Sequence, residues 1–200
     1  MKEHIIETAL KQFLAGGIRS NTMQKLASKM GISTKTMYKY FADKEALLEE
    51  CLKVHYSETD KGMQLLLADK PNPVVFLCRL YAKSVELDFG TNHLFYHDLN
   101  YYYHELQDKA IKNFSHNAIR LLLTSISNGI AEGYFLPDLK PAVVLEALTV
   151  LYASVTRHPT YKKYKLQPVQ LMRHTVDIYL RGICTGKGLA IINQIKELNT

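Results

Sequence analysis

The chain has 200 residues, of which 47% are hydrophobic and 22% charged, a composition typical of a soluble globular protein that buries its own core. Ten glycines and six prolines are too few for an all-β protein with frequent turns, and the three scattered cysteines indicate neither a disulfide framework nor a zinc site. The net charge of +6 suits a polyanionic partner without requiring one, and no apolar stretch reaches the ~18 residues of a membrane span, so we expect a cytoplasmic protein without membrane contact.

The first three predicted helices are short and follow one another closely. Apolar residues from Ile5 to Leu14 recur at helical spacing, and two glycines then end the helix. Thr22 can cap a second helix, which Gly31 ends. Ser33 can cap a third helix, roughly residues 34–41, only two residues later.

The faces of the third helix follow from an angular spacing of about 100° per residue. Met37 and Phe41 fall on one side, which we expect to face the core. Lys35, Thr36 and Lys39 fall on the other side, which we expect to face solvent. Side chains that donate or accept hydrogen bonds are therefore presented outward, as the readout of base edges in a DNA groove requires.

The positive charge of the chain is concentrated in the same segment. Between residues 8 and 44 there are seven basic residues against one acidic residue, an excess that equals the net charge of the whole chain. Such a local positive field is the electrostatic footprint of a nucleic-acid-binding module, because lysines neutralise phosphates and release counterions.

The second and third helices, joined by residues 30–33, have the arrangement of a helix-turn-helix. In that motif the second helix enters the major groove while the first crosses the DNA backbone. Capped helix ends, lysines and exposed hydroxyls are the groups that it offers to phosphates and bases. The candidate DNA-binding residues are Thr22, Ser33, Thr34, Lys35, Thr36, Tyr38, Lys39, Tyr40 and Lys44.

These residues belong to a longer pattern. The pattern comprises Gly17, Thr22, Leu26-Ala27, the run from Gly31 to Phe41 and the run from Lys44 to Leu47. Over about residues 5 to 52 it resembles the DNA-binding domain of the tetracycline-repressor-like (TetR) family. The resemblance implies an all-α protein, in which a three-helix DNA-binding domain is joined by a linker helix to a helical domain that binds an effector and dimerises. Residues 1–53, with the helix-turn-helix at about 22–41, would form the first domain, and residues 54–200 the second.

The resemblance also implies roles for the exposed side chains. Tyr38, Tyr40 and Lys44 would contact phosphates, while Lys35, Thr36 and Lys39 are the candidates for base edges. Lys35 stands where many relatives have glycine, so a side-chain contact would replace a close approach of the backbone. Tyr38 also suits packing between helices. Lys44 also suits a solvated lysine at a helix start, although a cation there is unfavourable without a nearby anion.

Longer helices follow, with breaks near residues 70–73, 90–92, 133–141 and 158–159. The segment from Gly129 to Pro141 resembles the C-terminal half of the same family, where a loop leads into the dimer interface. Helices over 141–157 and 168–184 would then form a four-helix bundle across a two-fold axis. The candidate interface residues are Val144, Leu148, Leu151, Tyr152, Val155, Met172, Val176, Tyr179 and Ile183. The same apolar stripes also suit an intramolecular core.

Aromatic residues are dense between residues 93 and 104. An aromatic cluster between long helices can line a cavity for an apolar or aromatic effector, although such clusters more often belong to a core. The candidate pocket residues are Phe76, Tyr81, Phe89, Phe95, Tyr96, Tyr101 and Tyr102.

His93 and His97 lie one helical turn apart, a spacing that can chelate a metal. The glutamate of a zinc-protease helix is absent, and no Glu-x-x-His sequence of a di-iron bundle occurs. There is also no nucleophile elbow, phosphate loop or dinucleotide fingerprint. We therefore expect no metal, no cofactor and no enzymatic activity.

The leading hypothesis is a transcriptional repressor. A homodimer would place its two third helices in successive major grooves of a double-stranded DNA operator, about 34–36 Å apart, and a small apolar or aromatic effector would release it. Two alternatives stay open. The chain is a helical protein that binds a metal or a small molecule, with an incidental basic N-terminus, or it is a DNA-binding dimer with no effector, whose second half is fully packed.

Overall fold

The computed structural model describes residues 1–114, 116–156 and 159–197, and within these ranges the chain is helical without a β-strand. This confirms the predicted all-α fold. The helices are α1 (Lys2–Gly16), α2 (Met23–Lys29), α3 (Thr34–Tyr40), α4 (Lys44–Leu67), α5 (Pro73–Phe89), α6 (His93–Tyr102), α7 (His104–Phe114), α8 (His116–Ala131), α9 (Pro141–Thr156), α10 (Pro168–Arg173), α11 (Val176–Ile183) and α12 (Gly186–Glu197), with a short 3₁₀ helix at Pro159–Tyr164.

The chain forms two compact units whose sequences interleave. Residues 1–61 and 90–116 make up the first unit, and residues 62–89 and 117–200 the second. The first unit thus includes α6 and α7, which the sequence assigned to the second domain. The functional boundary at residue 53 stays a prediction, but it does not coincide with a boundary between compact units.

The core of the first unit is built around α1. Ile5, Ala9 and Phe13 are completely buried on the apolar face that the sequence predicted. Helix α6 packs on α1, and its Phe95 and Leu99 are completely buried in the same cluster. The three N-terminal helices therefore share their core with a segment some 80 residues further along the chain.

The core of the second unit is made by α5, α8, α9 and α11. Phe76 and Leu77 on α5 are completely buried, as is Leu148 on α9. The predicted helix over 168–184 is two helices, because Thr175 leaves the helical region with φ −130° and ψ −90°. Residues 157 and 158, where the preceding helix was expected to end, lie outside the described residues.

The predicted dimer stripes require a correction. Five of the nine candidate residues are buried within their own unit, so they are not available to a partner: Val144, Leu148, Val155, Val176 and Ile183. The other four are half-buried: Leu151, Tyr152, Met172 and Tyr179. A helix that packs on a core and also on a partner subunit has two apolar faces. The spacing of large apolar residues identifies the face that packs in the core. The exposed large apolar residues on these helices are Val143, Val150, Val169 and Ile178.

The turn after α8 closes through close packing at Gly129. The ring of Phe135 occupies the position of a Cβ at this glycine, and the Phe135 N–H donates to the Gly129 carbonyl at 3.0 Å. The Leu136 N–H donates to the Ile183 carbonyl at 2.9 Å, which ties the turn to the end of α11. Gly129 therefore has a packing role inside a helix, where glycine is otherwise unfavourable.

We predict that Gly129→Ala lowers the free energy of unfolding by about 1–3 kcal/mol, because the added methyl group displaces the Phe135 ring. Gly62→Ala on α4 is the matched control. Its Cβ meets no neighbouring atom, so we expect a gain of about 0.5–1 kcal/mol from helix propensity. Denaturant unfolding of both variants measures the effects, and a neutral Gly129→Ala would contradict the packing described here.

Candidate nucleic-acid interface

Helices α2 and α3 are joined by a turn that the local sequence determines. Thr22 Oγ1 accepts the Lys25 N–H at 3.2 Å at the start of α2, and Ser33 Oγ accepts the Thr36 N–H at 3.0 Å at the start of α3. Gly31 takes a φ of +66° between them, a conformation that side chains with a Cβ rarely adopt. Both predicted caps are therefore present, and they fix where each helix begins.

The two faces of α3 lie as the angular spacing predicted. Met37 is completely buried and Phe41 is 3% exposed, so both anchor the helix in the core. On the outward side Lys35 and Lys39 are exposed. Thr36 is half-buried, and its hydroxyl lies 2.8 Å from Ser33 Oγ, which leaves it less available for a base contact than the lysines.

The aromatic residues of α3 are also exposed, Tyr38 by 51% and Tyr40 by 42% of their surface. This exposure favours a contact with phosphate over packing between helices for Tyr38. Thr22 and Ser33 are exposed and Thr34 is half-buried. All nine candidate DNA-binding residues lie in the first unit, within 23 residues of sequence.

Lys44 is the first residue of α4 and lies near the buried carboxylate of Asp98. Asp43 Oδ1 accepts the Ala46 N–H at 2.7 Å and caps the helix. Burial lowers the pKa of Lys44 below its ordinary value, the nearby Asp98 carboxylate opposes that shift, and Arg19 adds to it. Lys44 is thus half-buried near the Asp98 carboxylate, so an incoming phosphate would meet a charge that water screens only in part.

Helix α6 completes the end of α1, a feature that the sequence did not reveal. The Asn92 N–H donates to the Leu14 carbonyl at 2.7 Å, and Asn92 Nδ2 donates to the Ala15 carbonyl at 3.1 Å. The Oδ1 of the same side chain accepts the Leu94 N–H at 3.0 Å and caps α6. One asparagine therefore ends one helix and starts another, 77 residues apart in sequence.

Asp98 on α6 holds the loop after α1. Its carboxylate is 6% exposed, and Oδ2 accepts the Arg19 N–H at 2.8 Å. A Cβ at Gly17, which has a φ of +81°, would lie 2.8 Å from the Cβ of Leu94, so the loop and α6 approach closely. The guanidinium of Arg19 lies 4.0 Å over the ring of Tyr102.

The second unit contains a largely apolar cavity of about 180 Å³ between α5, α10 and the start of α11. Of the six candidate pocket residues whose side chains the structure describes, only Tyr81 lines it. Phe76 lies in the core of the second unit. Phe95 and Tyr96 are buried in the core of the first unit. Tyr101 and Tyr102 belong to the same unit and are exposed at its surface. The side chain of Phe89 lies outside the described residues.

His97 stacks on Tyr101, with ring centroids 4.7 Å apart, rather than forming part of a ligand set. Among the described residues no group of three or more His, Cys, Asp or Glu side chains is placed to hold a metal ion. Within the same residues, no helix combines the length and the hydrophobicity needed to cross a membrane.

The N-terminal segment of the chain is similar to a family of known proteins. Residues 5–51 match the family model described as bacterial regulatory proteins, tetR family. The chain is 46% identical over 55 residues to the uncharacterized HTH-type transcriptional regulator YuxN of Bacillus subtilis, a match that covers 28% of this chain and 19% of that protein. The residues 5–51 that match the family model contain the whole helix-turn-helix and the start of α4.

Two further similarities extend beyond the DNA-binding segment. The chain is 26% identical over 142 residues to the HTH-type transcriptional repressor KstR2 of Mycobacterium tuberculosis, covering 68% of this chain and 69% of that protein. The structure of FadR from Bacillus subtilis in complex with stearoyl-CoA aligns with a TM-score of 0.73 at 19% identity, covering 92% of this chain and all of that chain. At that identity the structural likeness shows a shared fold.

We predict that Asp98→Ala lowers the free energy of unfolding by about 1–3 kcal/mol, because the Arg19 N–H loses its acceptor in a part-buried hydrogen bond. Asp98→Asn keeps an acceptor oxygen there and should recover most of that loss. Asp108→Ala, at an exposed acid on α7, is the control and should stay within about 0.5 kcal/mol of the parent. Equal losses for the alanine and asparagine variants would show that charge, and not this hydrogen bond, matters at Asp98.

Proposed function

We propose that this chain, which belongs to the tetR family of bacterial regulatory proteins, is a repressor that binds a two-fold operator as a homodimer and leaves it when a small apolar effector binds. Members of this family are DNA-binding transcriptional regulators. The observation that carries the proposal is the outer face of α3, a short helix with a capped start and with exposed lysines and tyrosines.

The outer face of α3 offers two kinds of contact. Lys35 and Lys39 are exposed donors that suit guanine O6 and N7 in the major groove. Tyr38, Tyr40 and Lys44 flank them and suit phosphates, which fix the register of a helix on the duplex. We assign specificity to the first pair and orientation to the flanking three.

Dimerisation follows from the need to read two half-sites, about 34–36 Å apart. Helices α9 and α11 pack on each other, and each has an exposed apolar residue opposite its buried stripe. Val143 and Val150 are 61% and 58% exposed on α9, and Ile178 is 59% exposed on α11. These residues replace the buried stripe of the sequence prediction as our candidate centre of the interface.

An effector site is supported by the cavity of the second unit. A fully packed unit would have favoured a DNA-binding dimer without an effector, and this unit has an apolar cavity instead. The FadR structure with the same fold holds stearoyl-CoA, so a protein of this fold can bind a ligand that carries an apolar acyl chain. A coupling of about 1–3 kcal/mol per site between effector and operator is enough to change occupancy.

The groove assignment predicts different losses for two lysines, measured on an operator recovered by selection from random duplexes. Lys44→Ala should weaken binding to all sequences alike and reduce the salt slope by ~1, because one phosphate contact is lost. Lys35→Ala should cost about 1–3 kcal/mol and relax the preference for one base in each half-site. Lys140→Ala, at an exposed lysine of the second unit, is the control. If Lys35→Ala and Lys44→Ala bind cognate and random duplex as the parent does, the assignment is wrong.

The interface assignment predicts that Ile178→Glu or Val150→Glu shifts the protein from dimer to monomer, because a charge would be buried at the two-fold contact. Sedimentation or light scattering across a dilution series measures the shift. Leu65→Glu on α4 changes an apolar residue that is more exposed, at 75%, and should leave the parent's oligomeric state unchanged. A monomeric parent, or dimers that tolerate both glutamates, would refute this interface.

A further inference from the structure

The cavity of the second unit contains a polar group without a partner. Tyr81 lines the cavity and is 8% exposed, yet its hydroxyl makes no hydrogen bond with any described residue. Buried hydroxyls are almost always hydrogen-bonded, so an unpaired one calls for an explanation. Burial raises the pKa of Tyr81 well above its ordinary value, and the hydroxyl therefore stays protonated and able to donate.

The remaining inner wall is apolar. Val85 on α5 and Val176 and Leu180 on α11 are buried around the cavity, and Met172 on α10 adds a thioether. Methionine sulfur makes favourable contacts with aromatic rings. The wall thus suits a ring, and the Tyr81 hydroxyl suits an oxygen carried on that ring.

The open side of the cavity has a cation. Arg173 lines the cavity and is exposed, and its guanidinium has no acidic partner among the described residues. Asp177 on the same side is paired with Arg181 at 3.5 Å, so its charge is already compensated in part. A ligand that extends out of the cavity would therefore meet an available positive charge.

The size of the cavity limits the ligand. Its volume is about 180 Å³, and an apolar protein cavity of about 150 Å³ holds benzene. One substituted ring fits, whereas a long acyl chain exceeds the space. The rest of the ligand must extend through the open side toward Arg173.

We propose that this cavity binds a small hydroxyaryl carboxylate, with the ring in the apolar interior, the ring oxygen on the Tyr81 hydroxyl and the carboxylate on Arg173. The role of such a compound as the effector rests on the function proposed above. The binding site itself stands on the cavity, the unpaired hydroxyl and the available guanidinium.

The test is calorimetric titration of the full chain with three related compounds. These are 3-(4-hydroxyphenyl)propanoate, 3-phenylpropanoate without the ring hydroxyl, and 3-(4-hydroxyphenyl)propan-1-ol without the carboxylate. The parent should bind the first most tightly. Arg173→Gln should weaken both acids about tenfold and leave the alcohol unchanged, since a charge-assisted hydrogen bond is lost. Tyr81→Phe should abolish the preference for the ring hydroxyl and leave the carboxylate contribution intact.

Two variants control for the type of substitution. Arg79→Gln changes an exposed arginine on α5 outside the cavity, and Tyr101→Phe changes an exposed tyrosine of the first unit. Both should bind all three compounds as the parent does, and thermal unfolding verifies that every variant is folded. Absence of binding to the parent, or equal affinities across the Arg173 and Tyr81 variants, would overturn the site.

The same titrations separate this site from the proposed function. Binding with the expected dependence on Arg173 and Tyr81, but without release of an operator duplex, would leave the site standing and refute its role in regulation. Release of the duplex by Arg173→Gln and Tyr81→Phe at the same compound concentrations as the parent would place the effector elsewhere and refute the role of this site in release. Neither result bears on the DNA contacts of α3.

Discussion

The carbonyl groups in the last turn of α1 require hydrogen-bond donors. The packing of the first unit depends on which residues supply those donors. A helix leaves its final carbonyls without donors inside the helix. Here Ser20 Oγ donates to the Gly16 carbonyl at 2.6 Å, and Asn92 provides the donors for Leu14 and Ala15. Since α3 packs in the same core as α1, the placement of the outward lysines depends on α6 as well as on the helix-turn-helix itself.

The contacts between α6 and the N-terminal helices also place a negative charge near the basic residues of the first unit. The positive segment that the sequence revealed is balanced at one point by Asp98, which the fold brings beside Arg19 and Lys44. A buried carboxylate normally needs a compensating donor or cation, and this one has a backbone N–H and two basic side chains nearby. Lys44 is among the residues that we assign to phosphates, and the carboxylate offsets only part of the positive charge near it.

Local signals made the helix-turn-helix predictable. The caps at Thr22 and Ser33 join residues only three positions apart. The spacing of Met37 and Phe41 along one helix predicted that both face the core, and both are buried. The aromatic run around Phe95 was ambiguous because spacing cannot tell a cavity wall from a core. The Asp98 contact with Arg19 joins residues 79 apart, and a single sequence carries no signal for it. The predicted dimer stripes were ambiguous for a related reason, since two apolar faces on one helix look alike in sequence, and five of the nine residues are buried within their own unit.

The double role of Asn92 bears on the modularity of such proteins. A DNA-binding module is commonly imagined as portable, to be cut after its last short helix and fused to a new sensor. In this chain a cut after residue 53 would strip the α1 terminus of two donors and uncover Phe13 and its neighbours. A workable chimera would have to carry residues 90–116 along with the DNA-binding helices, so a later segment of the chain constrains the exchange of sensors.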